Sequence, residues 1–530
     1  MFQKIKPLLI AFLGLILFTA CEKELELVPE DDRIASSNVF DDPAAYKQFL
    51  AKLYAGLAIS GQDGPAGLPD LVGLDEGFSQ YLRLYWMMQE LTTDEAVIGW
   101  NDGTIKDLHY QNWTSGNEFI RTMYSRVMYQ VSLTNEFLRQ TTPAKLDERG
   151  VGADLRAEIQ KYRAEARFLR ALSYYHALDM FGNPPFVTEE DPIGAFLPQQ
   201  IQRAELFDYI ESELLAIESE IIPARENEYG RADQAAVWTL LAKLYLNAEV
   251  YIGEDRYSEV ITYTQKIINA GYTLADEYEN LFLADNNTNG AQNEVIFSIN
   301  FDGLNTYSFG GMTFIIHASI GGSMDPLASG VNSGWAGLRT TPEFVSLFPN
   351  GGDSADNREM FYTDGQSLEI NDISSFTDGY AIQKFKNIDS QGNPGSDATG
   401  EHPDTDFPMF RLADVYLMYA EAVLRGGGGN MSDAVAYVNQ LRARAYDGGG
   451  QITAAELTLD FILDERGREL YWEGHRRTDL IRFQQFSQNG IWAFKGGVPQ
   501  GATTEAFRNL FPIPASDLGV NTNLTQNPGY

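Results

Sequence analysis

The sequence predicts a mainly α protein: paired helices build a scaffold, and an irregular loop-rich region with a few short strands caps it. Three observations carry this reading. Apolar residues recur on a 3.6-residue period through most of 117–285 and 409–486. Trp238, Leu241, Ala242 and Tyr245 share a spacing that returns at Tyr416, Tyr419, Ala420 and Val423, and such repetition marks stacked helix pairs. Between them, 286–408 is rich in Gly, Asn, Ser and Asp, and long irregular stretches of this kind tend to carry function.

The chain opens with Lys4 and Lys6, an apolar run over 8–18, the small residues Thr19 and Ala20, and its only cysteine, Cys21. This is signal-peptide architecture, too short for a good membrane span. Residues 1–20 are therefore expected to be a leader. Cys21, placed just after the cleavage point, resembles a lipobox cysteine and is expected to carry lipid, although Phe18 stands where an aliphatic residue is usual. Residues 21–39 are polar and read as a tether, and 40–530 as the folded part.

Within 40–530 the spacing predicts helices over 45–59, 119–140, 159–181, 205–222, 232–251 and 257–270, with an irregular loop over 61–77. The scaffold is mainly 40–60, 117–285 and 409–486; the loop-rich part is mainly 61–116 and 286–408. Residues 257–270 complete the pair begun at Trp238, and 433–446 the pair begun at Tyr416. Residues 294–301 and 312–316 are short strand-like or helical pieces. Residues 462–483 read as one helix with acids three or four residues before arginines, a favourable order worth only a few tenths of a kcal/mol per pair. Gly467 and Gly474 share a face of it, so something must approach closely there.

Composition narrows the function. Lys and Arg number 39 against 74 Asp and Glu, a net charge of −35, which repels nucleic acid over most of the surface. No nucleophile elbow, P-loop or zinc-binding His pair is present and the five histidines are scattered, so no catalysis is expected. Binding is better supported. Sugars present apolar C–H faces rimmed by hydroxyls and need flat aromatic platforms with polar edges. Trp100 and Trp335 lie in polar, irregular surroundings, and Phe309 precedes Gly310-Gly311, where backbone can come close to a ligand. Asp285 with Asn286 and Asn287, and Asp404 with Asp406, offer hard oxygens suited to a structural calcium ion, or are solvated turn acids.

The run Glu465-Arg466-Gly467-Arg468-Glu469-Leu470, with Trp472-Glu473-Gly474-His475-Arg476-Arg477 and Asp479-Leu480, resembles the C-terminal signature of the SusD/RagB family of cell-surface glycan-binding lipoproteins. Segments such as Asp75-Glu76-Gly77, Thr93-Asp94-Glu95, Tyr229-Gly230-Arg231-Ala232-Asp233 and Pro403-Asp404-Thr405-Asp406 are similar, in the same order, to the family's starch-binding branch. The resemblance implies a SusD-like right-handed superhelix of tetratricopeptide-type helix pairs. It also implies an arc of three aromatics, Trp100, Phe309 and Trp335, matched to the curvature of an α-1,4-glucan, with Phe309 replacing a tyrosine. Arg83 and Asp75 correspond to residues that hydrogen-bond sugar hydroxyls, and Asn101 is close enough to stand in for an asparagine whose own position is Gly103. The acidic run after Cys21 resembles a surface-export signal. The implied protein is lipid-anchored on the outer face of the outer membrane and passes starch or maltooligosaccharides to a SusC-like TonB-dependent transporter, with calcium, if bound, bracing loops. Alternatives are another neutral glucan such as a β-glucan, a structural or peptide-capturing transporter lid, and a glycoside hydrolase.

Overall fold

A computed structural model describes residues 39–349 and 355–530. The leader, Cys21 and the tether as far as residue 38 lie outside the described residues. Contacts group the chain into two units, Met1–Gln48 and Phe49–Tyr530. The described part of the first is a 3-10 turn, Val39–Asp41, and the opening of the helix Ala45–Ala58.

The second unit is mostly helical. Glu118–Gln140 begins at Asn117, whose Oδ1 accepts from the Phe119 and Ile120 N–H groups at 3.1 Å each, so two otherwise orphaned donors are satisfied. It packs along Ala153–Phe181, which ends at Gly182 with φ 71°, a left-handed position suited to glycine. Arg203–Ile217 follows against the same long helix.

The two expected helix pairs form. Gln234–Leu246 packs on Tyr257–Asn269, and Leu412–Leu424 on Met431–Ala445. Tyr257–Asn269 also packs on Leu412–Leu424, so the pairs stack. Small buried residues, Ala235, Ala236 and Ala242 in one pair and Ala413, Ala420 and Ala422 in the other, let the helices approach. The expected helix over 232–251 is broken at Asn247 (φ −100°, ψ 7°), whose Nδ2 turns back to the Lys243 carbonyl at 2.9 Å; a short helix, Ala248–Ile252, continues beyond it.

The stretch 462–483 is not one helix. Leu459–Leu470 ends at Tyr471, Trp472 and Gly474 adopt φ 63° and 83°, and Arg476–Arg482 starts anew. The break is held by two buried acids on the far side of the chain: Glu95 accepts from the Trp472 N–H at 2.9 Å, and Glu90 from the N–H groups of Gly474 and of His475, the latter at 3.0 Å. The ionic face of the stretch is buried. Glu465, Glu469 and Glu473 are fully covered, and Arg358, Arg411, Arg442, Arg444 and Lys384 converge on them from other elements. Of the acid–arginine pairs at this spacing, Glu465–Arg468 and Asp479–Arg482 form ion pairs, whereas Glu473 turns to Lys384 and Arg411, and Arg477 to Asp179. Close approach at the glycines holds: a Cβ on Gly474 would lie 2.6 Å from the Tyr85 ring, and one on Gly467 2.9 Å from Leu347 and Arg476.

The strands are short and paired in twos. Val295–Ile299 runs antiparallel to Phe407–Arg411, Phe361–Tyr362 to Ala381–Ile382, and Val97–Ile98 to Leu338–Arg339. The piece at 312–316 is helical, within Gly311–Ala318.

Candidate functional site

The smallest ladder positions the site. Val97 pairs with Arg339 and Ile98 with Leu338, and Gly99 N–H donates to the Gly337 carbonyl at 2.9 Å. Trp100 leaves the ladder just after one strand and Trp335 lies just before the other, so antiparallel pairing brings the two indoles together. Their ring centroids are 6.4 Å apart at 44°, and Trp100 Nε1 donates to the Trp335 carbonyl at 3.0 Å. Gly337 is needed beneath them, since a Cβ there would fall 2.6 Å from the Trp100 ring. Trp335 is backed by His317, stacked at 4.8 Å and 26°; its own N–H donates to the His317 carbonyl at 2.7 Å.

Phe309 completes the strip, 6.3 Å from Trp335 at 63°. Its N–H donates to Glu76 Oε2 at 2.8 Å, and its carbonyl accepts from Arg83 Nη1 at 3.3 Å. Gly77 and Gly310 permit this packing: a Cβ on Gly77 would lie 2.8 Å from Phe309 Cβ, and one on Gly310 2.3 Å from Gln80 Cβ. All three rings are part-exposed. The strip therefore offers successive apolar faces that no element of the described chain covers, and such faces stack on the C–H faces of a sugar.

The polar residues fall differently. Arg83 sits in the helix Tyr81–Gln89, which the sequence reading passed over, and is only 4 % exposed. Its guanidinium lies between the rings of Phe78 at 3.8 Å and Phe314 at 4.1 Å, 5.8 Å from Trp100. Burial lowers its pKa to about 9 against the opposing field of Asp75, Asp102 and Glu76. In this conformation Arg83 braces the loop that carries Phe309. Asp75 is exposed and its Oδ1 accepts from the Phe78 N–H at 2.9 Å; Asn101 is exposed beside Trp100.

The acids considered for calcium are engaged with hydrogen-bond donors. Asp406 Oδ1 accepts from the Phe301 N–H at 2.7 Å, and Asp404 Oδ1 from the Gly303 N–H at 2.7 Å and Ser396 Oγ at 2.7 Å. Asp285 accepts from Ser390 N and Oγ and from Asn289 Nδ2. Asn287 is exposed, while Asn286 is buried and donates to the carbonyls of Leu281 and Asp406. Calcium takes roughly six to eight oxygens, and among the described residues no group of three or more acidic, His or Cys side chains is placed to hold a metal ion. Asp404 and Asp406 pin the base of the 301–309 loop directly.

Comparison with known proteins follows the same lines. The "Starch-binding protein SusD" of Bacteroides thetaiotaomicron is 35 % identical, with 97 % of this chain and 96 % of that one aligned. This chain belongs to the SusD/RagB family. The family model, described as SusD family, matches residues 352–530, the segment holding the interrupted Arg- and Glu-rich signature. Solved structures share the fold: a SusD superfamily protein of B. thetaiotaomicron aligns with a TM-score of 0.70 at 21 % identity, covering 92 % of this chain and 99 % of that one. Surface glycan-binding protein A of the same organism, in complex with laminarihexaose, aligns at 0.69 and 20 %, covering 91 % and 98 %. No helix among the described residues of this SusD-family chain is long and apolar enough to cross a membrane.

The aromatic strip was legible from the sequence because two tryptophans in polar loops have no helical stripe to join. Glu76, His317 and His402, which back the rings, were not, since nothing in their local sequence distinguishes them from ordinary buried polar residues.

Proposed function

We propose that this protein is a non-catalytic glycan-binding lipoprotein that captures starch or maltooligosaccharides at the cell surface and passes them to a SusC-like TonB-dependent transporter. The observation that carries the reading is the contiguous, part-exposed strip Trp100–Trp335–Phe309. The likeness to a protein named for starch binding supports α-glucan as the ligand. The rings are the platforms, with Asp75 and Asn101 as the exposed polar edge and Arg83 as the brace that fixes Phe309. Cys21 supplies the lipid anchor in the outer membrane, and the net charge of −35 argues against nucleic acid as the partner. The purified protein is expected to sediment with insoluble starch and to release no reducing ends from it. Release of reducing ends by pure protein would turn the reading towards a hydrolase. Failure to sediment would turn it towards a different glycan or a structural lid.

A further inference from the structure

Beyond Phe309 the aromatic surface does not stop. His402 lies 5.8 Å from Phe309 at 40°, and Tyr307 stands edge-on to His402 at 5.1 Å and 71°. His402 is buried at 6 % exposure, whereas Tyr307 is 42 % exposed and, with Phe196, one of two aromatics among the exposed large hydrophobic side chains of the described residues. His402 thus links two exposed rings, one already in the strip and one outside it.

The segment bearing Tyr307 is built to hold it. Asp302 closes a turn on itself: its Oδ1 accepts from the Leu304 N–H at 2.8 Å and its carbonyl from the Thr306 N–H at 2.8 Å. Asp406 and Asp404 fix the entry to the turn through Phe301 and Gly303, and Glu76 fixes its exit through the Phe309 N–H. Gly303 has no Cβ to spare, because one would lie 2.6 Å from the His402 carbonyl. An exposed tyrosine on a freely moving loop would lose much of its stacking energy to ordering; here the loop is ordered in advance.

We infer that Tyr307 is a fourth sugar platform, continuing the Trp100–Trp335–Phe309 strip past His402 and contacting only oligosaccharides long enough to reach it. The inference rests on the glycan-binding reading above and adds a length preference to it. Tyr307 also returns a phenolic hydroxyl to the end of the strip where Phe309 has none, so it suits a ligand that offers a hydroxyl beside each apolar face.

The test is calorimetric titration of the purified protein with maltotriose and with maltoheptaose, for the wild type, Tyr307→Ala and Tyr307→Phe. Loss of one stacked ring corresponds to about a three- to tenfold weakening. Tyr307→Ala is expected to weaken maltoheptaose by that factor and leave maltotriose unchanged, and Tyr307→Phe is expected to retain most of the wild-type affinity for maltoheptaose. Unchanged maltoheptaose affinity in Tyr307→Ala, or an equal loss for both lengths, overturns the fourth platform while leaving the three-ring site in place. If the wild type binds neither oligosaccharide, the α-glucan reading fails first and the platform with it.

Discussion

Trp100 Nε1 donates a hydrogen bond to the Trp335 carbonyl oxygen at 3.0 Å, so the Trp100 indole is fixed against the backbone that carries Trp335. The bond joins residues on two different loops through a ladder only two residues long per strand. Trp100→Phe keeps an apolar ring but removes the donor. It is expected to weaken maltoheptaose binding about three- to tenfold while costing about 1 kcal/mol of stability, read by titration and by urea unfolding on the same preparation.

Gly337 tests the same geometry from below. Its missing Cβ is filled by the Trp100 ring at 2.6 Å, so Gly337→Ala forces the indole or the ladder to shift. Tryptophan fluorescence of Gly337→Ala is expected to change and glycan affinity to fall by at least several-fold. Wild-type affinity in that variant would show that the position of Trp100 is unimportant.

How much of this was written in the sequence depends on whether the determining contact is local. Loop tryptophans declare themselves, because a large ring in a polar loop has no local reason to be there. The helix Tyr81–Gln89 hid for the opposite reason: all nine of its residues are buried, so no polar face contrasts with an apolar one and no period stands out. Arg83, to which the family resemblance gives the role of hydrogen-bonding sugar hydroxyls, lies within this helix at 4 % exposure. The stretch 462–483 misled in another way. Its apolar and charged spacing suits a continuous helix, but Glu90 and Glu95, distant in sequence, capture the backbone N–H groups of the break. A left-handed Trp472 cannot be read from neighbours alone.

Arg411 is the hub of the buried ionic cluster, pairing with Glu294 at 2.9 Å, Glu469 at 2.7 Å and Glu473 at 2.6 Å. For Glu465 in the same cluster, burial acts to raise the pKa, but Arg358, Arg468 and Arg442 outweigh it and hold the carboxyl at about 2. Arg411→Met leaves three buried carboxylates short of a partner, and about 3–5 kcal/mol of destabilisation is expected. Chemical denaturation measures it; a loss below 1 kcal/mol would mean that the remaining cations rearrange to cover the site.

Asp406 titrates in the other direction. Burial pushes its pKa from 3.8 to about 7, against the Phe301 N–H and the Tyr229 hydroxyl, which act to lower it. The folded state therefore holds a proton that the unfolded state releases near pH 4, and the stability this gives below pH 4 is lost as pH rises through about 7. Asp406→Asn keeps the Oδ1 acceptor for the Phe301 N–H and removes the titration. It is expected to be more stable than the wild type at pH 8, by on the order of 1–3 kcal/mol, with the difference closing below pH 4. Unfolding midpoints at pH 4, 6 and 8 decide it.

Asp404 accepts directly from the Gly303 N–H and Ser396 Oγ, contacts that brace the 301–309 loop. EDTA is expected to leave both the unfolding midpoint and the affinity for maltoheptaose unchanged, whereas Asp404→Ala lowers the affinity several-fold by freeing the loop that presents Phe309. A fall in either quantity on adding EDTA would restore calcium to the account.

Whether the three contacting rings make an α-glucan site is decided by titrating the purified protein with maltoheptaose and laminarihexaose beside Trp335→Ala. Heat from maltoheptaose that disappears in Trp335→Ala is expected, with little from laminarihexaose. Heat from laminarihexaose with none from maltoheptaose, or maltoheptaose binding that survives the loss of Trp335, would show that the rings do not form such a site.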